Sequence, residues 1–486
     1  MHAVPTPLSA AALLWLLAAA PVPPLAAQTP PPDRPNIVVL LGDDLGWRDV
    51  GAYGNTAIRT PNIDRLARSG LRVVSAFGTS PQCSPSRISM LTGRYPHATG
   101  TEDLHAPLAE GERIIPSWLR ARGYFTGHMA KTHYGPAAER QFQWYAPETA
   151  DALPAFLDAA RGRPFFLWVG FHEPHRPYRE APGASPHDPA RVRVPPHLAD
   201  TPETRTDLAR YYDAIARMDG AIGRMLTELE RRGLRDSTLI VFLSDNGAPF
   251  PREKGTLYDS GTRTPLILSW PGVVPAGSVW DRGLVSTIDL APTILDLAGA
   301  FPPREMQGRS FRALLDVPAS YAGREYVFSE RNWHDCDEHQ HAIRGGRFKL
   351  IRTDAYTGLP LCTAADIGAS PSFLALRALV RAGRLTQAQR PLFLAPRARL
   401  ELYDLEADPW ELRNVADQPA YAAEVRRLAG MLQDWIEESG DFPAAYRVRD
   451  DNTDRVTGVQ FSPRIPPLRN PVVPAPAERW GVEGPR

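Results

Sequence analysis

The fold is decided by the stretch Ile37-Val38-Val39-Leu40-Leu41-Gly42-Asp43-Asp44. Five consecutive apolar residues with no polar alternation are typical of a strand buried on both faces, as in a parallel sheet covered by helices. Two further runs, 164–171 and 238–243, have the same character and are separated by helical patterns. The sequence therefore predicts an α/β fold with a central, mostly parallel sheet.

Polar residues follow each of these three runs. Asp43 and Asp44 end the first, His175 follows the second, and Asp245 and Asn246 end the third. Since ligands bind at the carboxyl ends of the strands in open α/β sheets, these residues are candidates for one site. Adjacent carboxylates repel each other unless a cation or basic group lies between them, although a solvated turn is the alternative. The four oxygen donors favour a hard cation, Ca²⁺ before Mg²⁺, over Zn²⁺.

A second group of candidates lies in Cys83-Ser84-Pro85-Ser86-Arg87. Ser84 is predicted to cap a short helix, Pro85 to open it and Gly93 to end it. Cys83 then lies at a helix N-terminus, where free N–H groups and the helix dipole attract an anion. Arg87 returns to the same face one turn later. The alternative for Cys83 is a small, buried core residue.

The lysines add to this pattern because the chain has only three, Lys131, Lys254 and Lys349. The first two fall beside candidate site residues, and a compact ammonium fits where a guanidinium would not. Lys131 and His133 are two residues apart, so an extended backbone would place both side chains on one face.

The remaining patterns are mostly structural. The apolar stripe of a long helix at 207–232 is assigned to core packing, and the pattern after about residue 325 predicts a smaller α+β domain. The other predicted elements are a helix at 60–70, a strand at 71–77, a strand-to-helix unit at 281–298, a hairpin at 341–352, a strand at 401–405 and a helix at 421–435.

Length and charge limit the function classes. The 486 residues carry 55 basic and 55 acidic side chains, so the formal net charge is zero. This balance argues against electrostatic binding to nucleic acid or to an anionic membrane. The predicted organisation is a signal peptide at 1–27, a catalytic domain at 28–335, a smaller C-terminal domain at 336–462 and a Pro-rich tail at 463–486.

Residues 1–27 predict export to the periplasm or secretion. An apolar run, Leu13 to Ala20, is followed by small residues before a cleavage point at Gln28. The alternative, a membrane anchor, is disfavoured because prolines interrupt a run that is too short to span a bilayer. Cys336 and Cys362 could form one disulfide in such an oxidising compartment.

Cys83 to Arg87 resembles the sulfatase signature C-x-P-x-R, and the other motifs follow in that family's order from Asn36 to about Val415. Three stretches, 164–176, 244–251 and 401–414, look most like the sulfamidase (N-sulfoglucosamine sulfohydrolase) branch. The resemblance implies an alkaline-phosphatase-like α/β sandwich with a small C-terminal α+β domain.

The resemblance also implies residue roles. Cys83 would be oxidised to formylglycine by a formylglycine-generating enzyme, and the aldehyde hydrate would be the nucleophile. Arg87 would fix the hydrate and balance charge. The implied metal set for one Ca²⁺, which also contacts the modified cysteine, is Asp43, Asp44, Cys83, Asp245 and Asn246.

Four cationic or titratable positions complete the implied catalytic set. Lys131 and His175 would bind the sulfate and assist the leaving group, and His133 would act on the second hydroxyl of the hydrate. Lys254 falls near the family's second cationic residue, where sulfamidases carry arginine. The family motif G-K-x-H-x-G has Ala130 here in place of its first glycine.

The expected function is hydrolysis of a sulfated carbohydrate, with N-sulfated glucosamine preferred, as in degradation of heparan sulfate and related glycosaminoglycans. An O-sulfatase or arylsulfatase, a phosphoester or phosphonate hydrolase of the same fold, and a non-catalytic binder of sulfated glycans are the alternatives. Stable membrane insertion is not expected, and the sequence is compatible with a homo-oligomer.

Overall fold

The computed structural model gathers the apolar runs of the sequence into one central sheet. It describes residues 34–179, 186–355 and 357–441, together with Met1, His2 and the backbone of 446–447 and 468–469. All elements below belong to the unit Pro31–Arg486. The predicted signal peptide apart from Met1 and His2, and the predicted tail apart from 468–469, lie outside the described residues.

The central sheet is mixed but mostly parallel. Its strands are β1 (Asn36–Gly42), β2 (Leu71–Phe77), β3 (Phe125–Ala130), β4 (Trp144–Ala146), β5 (Phe165–Gly170), β6 (Thr238–Ser244), β7 (Arg263–Ser269), β8 (Ser278–Trp280) and β9 (Val285–Ser286). The order is β4-β3-β5-β1-β6-β7-β2-β8, and β9 pairs with β2. The neighbouring strands β4, β3, β5, β1 and β6 all run parallel to one another. Strand β7 is antiparallel to both of its neighbours, β6 and β2. The predicted α/β class is confirmed.

Helices cover both faces of this sheet. They are α1 (Pro61–Arg68), α2 (Cys83–Thr92), α3 (Ile115–Ala121), α4 (Pro136–Glu139), α5 (Leu153–Ala160), α6 (Pro202–Arg231), α7 (Asp259–Thr262), α8 (Leu290–Leu297), α9 (Arg312–Asp316), α10 (Ala365–Gly368), α11 (Pro371–Arg381) and α12 (Ala422–Ser439). Val38 and Leu40 pack in the cluster that contains α1, α5 and α6. Ile37, Val39 and Leu41 pack on the opposite face with α2, α3 and α8. Strand β1 is therefore buried on both faces, as its unbroken apolar run predicts.

Helix α6 starts earlier than the apolar stripe indicates. It begins at Pro202 rather than 207, because the Thr201 side chain accepts a hydrogen bond from the Thr204 N–H and caps the first turn. The pair Thr201-Pro202 is the sequence signal for this earlier start, because proline is favoured at the first helical position. The predicted core stripe of this helix is buried throughout.

Helix α2 also starts earlier than predicted, at Cys83, with Gln82 as N-cap. The reason is that the Ser86 N–H already bonds the Gln82 carbonyl, while the Ser84 hydroxyl accepts from the His105 N–H. Ser84 and Pro85 therefore lie inside the first turn. Gly93 ends the helix at a φ of 68°, as predicted.

The second sheet is antiparallel and has the order β10 (Val327–His334), β11 (Cys336–Arg344), β12 (Phe348–Thr353) and β13 (Leu400–Asp404). Its apolar face packs on α12. The predicted hairpin is confirmed, since β11 and β12 pair around Gly345 and Gly346. The sheet starts at Val327, ahead of the predicted boundary at 336. A third sheet pairs β14 (Tyr446–Arg447) with β15 (Leu468–Arg469).

Two further observations bear on the environment of the protein. Cys362 is disulfide-bonded, whereas Cys83 is a free thiol. Within the described ranges, every helix is too short or too polar to cross a bilayer.

We expect Leu41→Ala to lower the free energy of unfolding by about 2–5 kcal/mol, because the 0% exposed Leu41 side chain leaves a cavity between sheet and helices. Leu374→Ala is the matched control, since Leu374 is 49% exposed and its truncation should cost less than about 0.5 kcal/mol. Urea titration of both variants measures the difference. Equal shifts of the two midpoints would contradict the proposed burial of β1.

Candidate active site

The predicted carboxylates meet at the carboxyl ends of β1 and β6, which are adjacent and parallel. The Asp44 N–H donates to Asp245 Oδ1 at 3.0 Å, and Asn246 Nδ2 donates to Asp44 Oδ1 at 2.8 Å. These contacts span about two hundred residues of sequence. The two acidic motifs therefore form one cluster, as their positions after buried strands predict.

Cys83 lies beside this cluster in the first turn of α2. Its Sγ is 3.8 Å from Asp44 Oδ1, and the residue is 2% exposed. Burial raises the pKa of the Cys83 thiol well above its ordinary value, although Lys131 and Lys254 act in the opposite direction. An unmodified thiol here stays protonated near neutral pH and is a poor nucleophile.

Arg87 joins helix α2 to the ends of two strands. Its Nε donates to Asp245 Oδ2 at 2.8 Å and its Nη2 to Asp43 Oδ1 at 3.3 Å. The guanidinium is fully buried. Burial alone would lower the pKa of Arg87, but the Asp245 and Asp43 carboxylates raise it above its ordinary value. Arg87 is thus a fixed positive charge inside the cluster.

Lys131 follows β3 and reaches the same cluster. Its Nζ lies 2.7 and 2.6 Å from the two carboxylate oxygens of Asp43. Burial by itself would raise the pKa of Asp43, but Lys131 and Arg87 hold it far below its ordinary value. Asp43 is therefore ionised at any pH at which the protein is studied.

The prediction that Lys131 and His133 share a strand face is wrong. Strand β3 ends at Ala130, and both Ala130 and His133 have left-handed backbones, with φ of 57° and 61°. His133 Nε2 instead lies 2.7 Å from His105 Nδ1. Burial, then Lys131 and His105, lower the pKa of His133 to about 2, so its ring is neutral. A left-handed φ at position 130 favours glycine, which accounts for the glycine of the family motif.

Lys254 and His175 lie together on the other side of Asp44. Lys254 Nζ is 2.8 Å from Asp44 Oδ2 and 3.2 Å from His175 Nε2. The His175 Nδ1 contacts the Arg176 carbonyl, which can only accept, so Nδ1 carries the hydrogen and Nε2 faces the site.

Sequence reasoning missed Asp366, which bonds Lys254 Nζ at 3.1 Å. Burial alone would raise its pKa, but Lys254 and the nearby histidines lower it. Asp366 lies in helix α10, which gave no motif or periodicity that pointed to the site. His105, the partner of His133, was missed for the same reason.

The charges of these residues nearly balance. Asp245 has a pKa that burial raises to about 6 despite Arg87, so it is still largely ionised at pH 7. The charged set of the cluster, buried except for the partly exposed Asp366 and Lys131, consists of the carboxylates Asp43, Asp44, Asp245 and Asp366 and the cations Arg87, Lys131 and Lys254. Four negative and three positive charges do not attract an anion, whereas a divalent cation would reverse the sign of the net charge.

The donor set fits such a cation. Asn246 Oδ1 is buried without a hydrogen-bond partner among the described residues, as expected of an oxygen that faces a metal. Ligand atoms of Asp43, Asp44 and Cys83 lie within 4.8 Å of one another. Oxygen donors without imidazole suit Ca²⁺ or Mg²⁺. Asp43, Asp44 and Cys83 thus form a cluster that could hold a metal ion, and Asp245 and Asn246 both contact Asp44.

A cavity of 250 Å³ opens directly beside this cluster. Asp43, Lys131 and His175 form part of its wall, and His172 and Glu173 continue it. The lining also includes arginines from the loop after β5 and from α6. A substrate that reaches Cys83 can therefore extend into a polar, mainly cationic space.

The comparisons with known proteins agree with this geometry. The family model "Sulfatase" matches residues 35–148 and 137–300, and the model "N-sulphoglucosamine sulphohydrolase, C-terminal" matches residues 252–359. Human N-sulphoglucosamine sulphohydrolase is 33% identical over 488 residues, which cover 90% of this chain and 95% of the human protein. An ulvan-active sulfatase from Formosa agariphila is 29% identical and covers 84% of this chain and 76% of that protein.

Solved structures share the fold. BT4656 in complex with its substrate D-glucosamine-2-N,6-O-disulfate superposes with a TM-score of 0.66 at 21% identity, covering 84% of this chain and 99% of that one. Ps i-CgsB in complex with k-i-k-neocarrahexaose gives 0.63 at 24% identity, covering 83% and 92%. The predicted alkaline-phosphatase-like sandwich is confirmed. A family match over more than half of the chain and a relative one third identical along nine tenths of it show that this protein belongs to the sulfatase family.

Proposed function

We propose that this sulfatase cleaves sulfate from a sulfated carbohydrate, with N-sulfoglucosamine as the preferred sugar. The observation that supports hydrolysis is the convergence of Cys83, a four-oxygen cluster and two lysines at one edge of the sheet. Sulfate is an anion, so its attack requires a site whose field is positive once the metal is in place.

Cys83 is proposed to act after conversion to formylglycine, which supplies a nucleophilic hydroxyl that the buried, protonated thiol does not provide. Asp43, Asp44, Asp245 and Asn246 would hold Ca²⁺, which supplies Lewis-acid polarisation of the sulfate oxygens. Arg87 fixes the orientation of the first turn of α2, because both of its carboxylate partners are anchored at strand ends.

The side chains around the proposed sulfate position have separate roles. Lys131 and Lys254 bring ammonium groups to Asp43 and Asp44, respectively, which suits them to bind sulfate oxygens beside the cluster. His175 presents Nε2 to the site because its Nδ1–H is held by the Arg176 carbonyl. Nε2 carries no hydrogen in that tautomer and lies 3.2 Å from Lys254 Nζ, so it would take a proton from the Lys254 ammonium and pass it to the departing amine. His133 would remove the proton from the second hydroxyl of the hydrate, as the family resemblance implies.

The name of the human relative supports an N-sulfated sugar as substrate, since the likeness extends along nine tenths of this chain. Export is also proposed. The disulfide at Cys362 fits an oxidising compartment such as the periplasm or the extracellular space. A formylglycine-generating enzyme would be the partner during maturation.

We expect the tryptic peptide that contains Cys83 to carry formylglycine when the protein is produced beside a formylglycine-generating enzyme. Cys83→Ala should lower the rate of sulfate release at least about a thousandfold, because the nucleophile is lost. The thermal midpoint of this variant should stay close to that of the parent. Peptide mass spectrometry and sulfate release measure the two effects. An unmodified thiol in fully active protein would rule out the proposed nucleophile.

Metal-stripped protein should be stabilised by added Ca²⁺, by about 2.7 kcal/mol when free Ca²⁺ is about a hundredfold above its dissociation constant. Asp44→Asn should remove most of this gain because it deletes a carboxylate ligand. Asp219→Asn is the control, since Asp219 is a buried carboxylate that accepts from the Asn62 and Ile63 N–H groups, away from the site. Thermal unfolding with and without Ca²⁺ measures these shifts. The same gain in parent and Asp44→Asn protein would contradict the assigned metal ligands.

Sulfate release should be faster from glucosamine N-sulfate than from glucosamine 6-O-sulfate, by about tenfold or more in kcat/KM, which corresponds to about 1.4 kcal/mol of transition-state binding. Ion chromatography of released sulfate measures both rates in one assay. Faster release from the O-sulfated sugar would instead identify an O-sulfatase, and release of phosphate from a sugar phosphate at a comparable rate would identify a phosphoesterase.

A further inference from the structure

Arg217 lies in the middle of α6 and forms part of the wall of the cavity beside the acidic cluster. The residues around it in the helix belong to the core, with Met218 fully buried. Its Nε is buried without a hydrogen-bond partner among the described residues. A guanidinium nitrogen that has left water without gaining an acceptor is costly, so Arg217 is held here without a compensating partner for Nε among the described residues.

The neighbouring arginine shows what a purely structural role looks like here. Arg176, which also lines the cavity, is held by Asp207 of α6 through two bonds of 2.7 Å. That pair is nearly buried and cancels its own charge. Arg217 has no such carboxylate in the described part of the chain, so its charge is directed to whatever occupies the cavity.

The rest of the wall leaves the cavity positive. Asp43 is already matched by Lys131. Of the charged groups that remain, Glu173 is acidic, while Arg179 and Arg217 are basic. Arg179 is exposed and lies toward the rim, whereas Arg217 is partly buried at the helix. The cavity therefore offers a cationic position that is separate from the lysines beside Cys83.

We propose that Arg217 binds a second anionic group of the substrate, so that the site selects sugars that carry two anions rather than one. This inference rests on the proposed function, because it takes the first anion to be the sulfate at Cys83. A planar guanidinium accepts sulfate or carboxylate oxygens in pairs, which makes it selective for such groups over hydroxyls. Arg217 is then a specificity residue and takes no part in bond cleavage.

The size of the cavity indicates where that second group lies. Pockets for drug-sized ligands range from about 300 to 1,000 Å³, and this one measures 250 Å³. It suits one sugar ring rather than several. The second anion is therefore assigned to a further sulfate on the ring that bears the cleaved sulfate.

Binding measured without turnover tests the proposal. In full-length Cys83→Ala protein, titration calorimetry should show about tenfold tighter binding of glucosamine N,6-O-disulfate than of glucosamine N-sulfate, as one charge-assisted contact supports. Adding Arg217→Met should reduce this ratio to within about twofold, and Arg217→Lys should retain part of it. In a third titration, N-sulfoglucosamine linked to a uronate should bind no tighter than glucosamine N-sulfate. Tighter binding that Arg217→Met removes would overturn the assignment to the same ring.

Arg224→Met in the same Cys83→Ala background is the matched control, because Arg224 lies on the same helix, 60% exposed, and pairs with Asp151 at the surface. Arg224→Met should keep the tenfold ratio between the affinities for the disulfated and the monosulfated sugar. The proposal is overturned if the ratio survives Arg217→Met, if Arg217→Met weakens both sugars equally, or if the Cys83→Ala protein shows no preference. These outcomes are independent of sulfate release by the parent, whose absence would refute the proposed hydrolysis instead.

Discussion

The buried contacts of Arg87 with Asp43 and Asp245 are the interaction on which the rest of the site depends. All three side chains are almost completely removed from water, and they tie the first turn of α2 to the ends of two parallel strands. Removing one partner of a buried pair typically costs about 3–5 kcal/mol, because the charge left behind is uncompensated. The position of Cys83 is therefore fixed by electrostatics as well as by helix geometry.

The same balance of charges is the physical argument for the proposed cation. Carboxylates that are each matched by a lysine or arginine are stable in the folded protein, but they leave no net attraction for sulfate. A divalent cation held by the oxygen cluster would make the net charge positive, and a donor atom that is not already paired would favour its binding. Asn246 Oδ1 is such an atom.

The C-terminal part of the chain contributes to the site as well as to the fold. Asp366 bonds Lys254. Lys349 of β12 is buried and contacts Asp259 of α7 at 3.0 Å and Glu411 at 3.3 Å, which links the second sheet to the segment between β6 and β7. All three lysines of this arginine-rich protein are thus held by buried carboxylates. The low lysine count pointed to Lys131 and Lys254, and the structure gives the reason, which is that a compact ammonium fits between buried acids.

The sequence by itself determined the α/β class, the three polar strand ends and the Cys83 to Arg87 motif. These features are local, since an unbroken apolar run, a helix cap and a four-residue spacing are complete within one segment. Only the tertiary structure decided that His133 contacts His105, that Asp366 bonds Lys254, and that Arg217 of the core helix α6 lines the cavity. Such pairings join residues far apart in the chain, and their partners are selected by the packing of sheet, helices and loops, which no local pattern records. The first residue of α2 was also a tertiary outcome, because contacts of Gln82 and Ser84, and not capping preference, set where the helix begins.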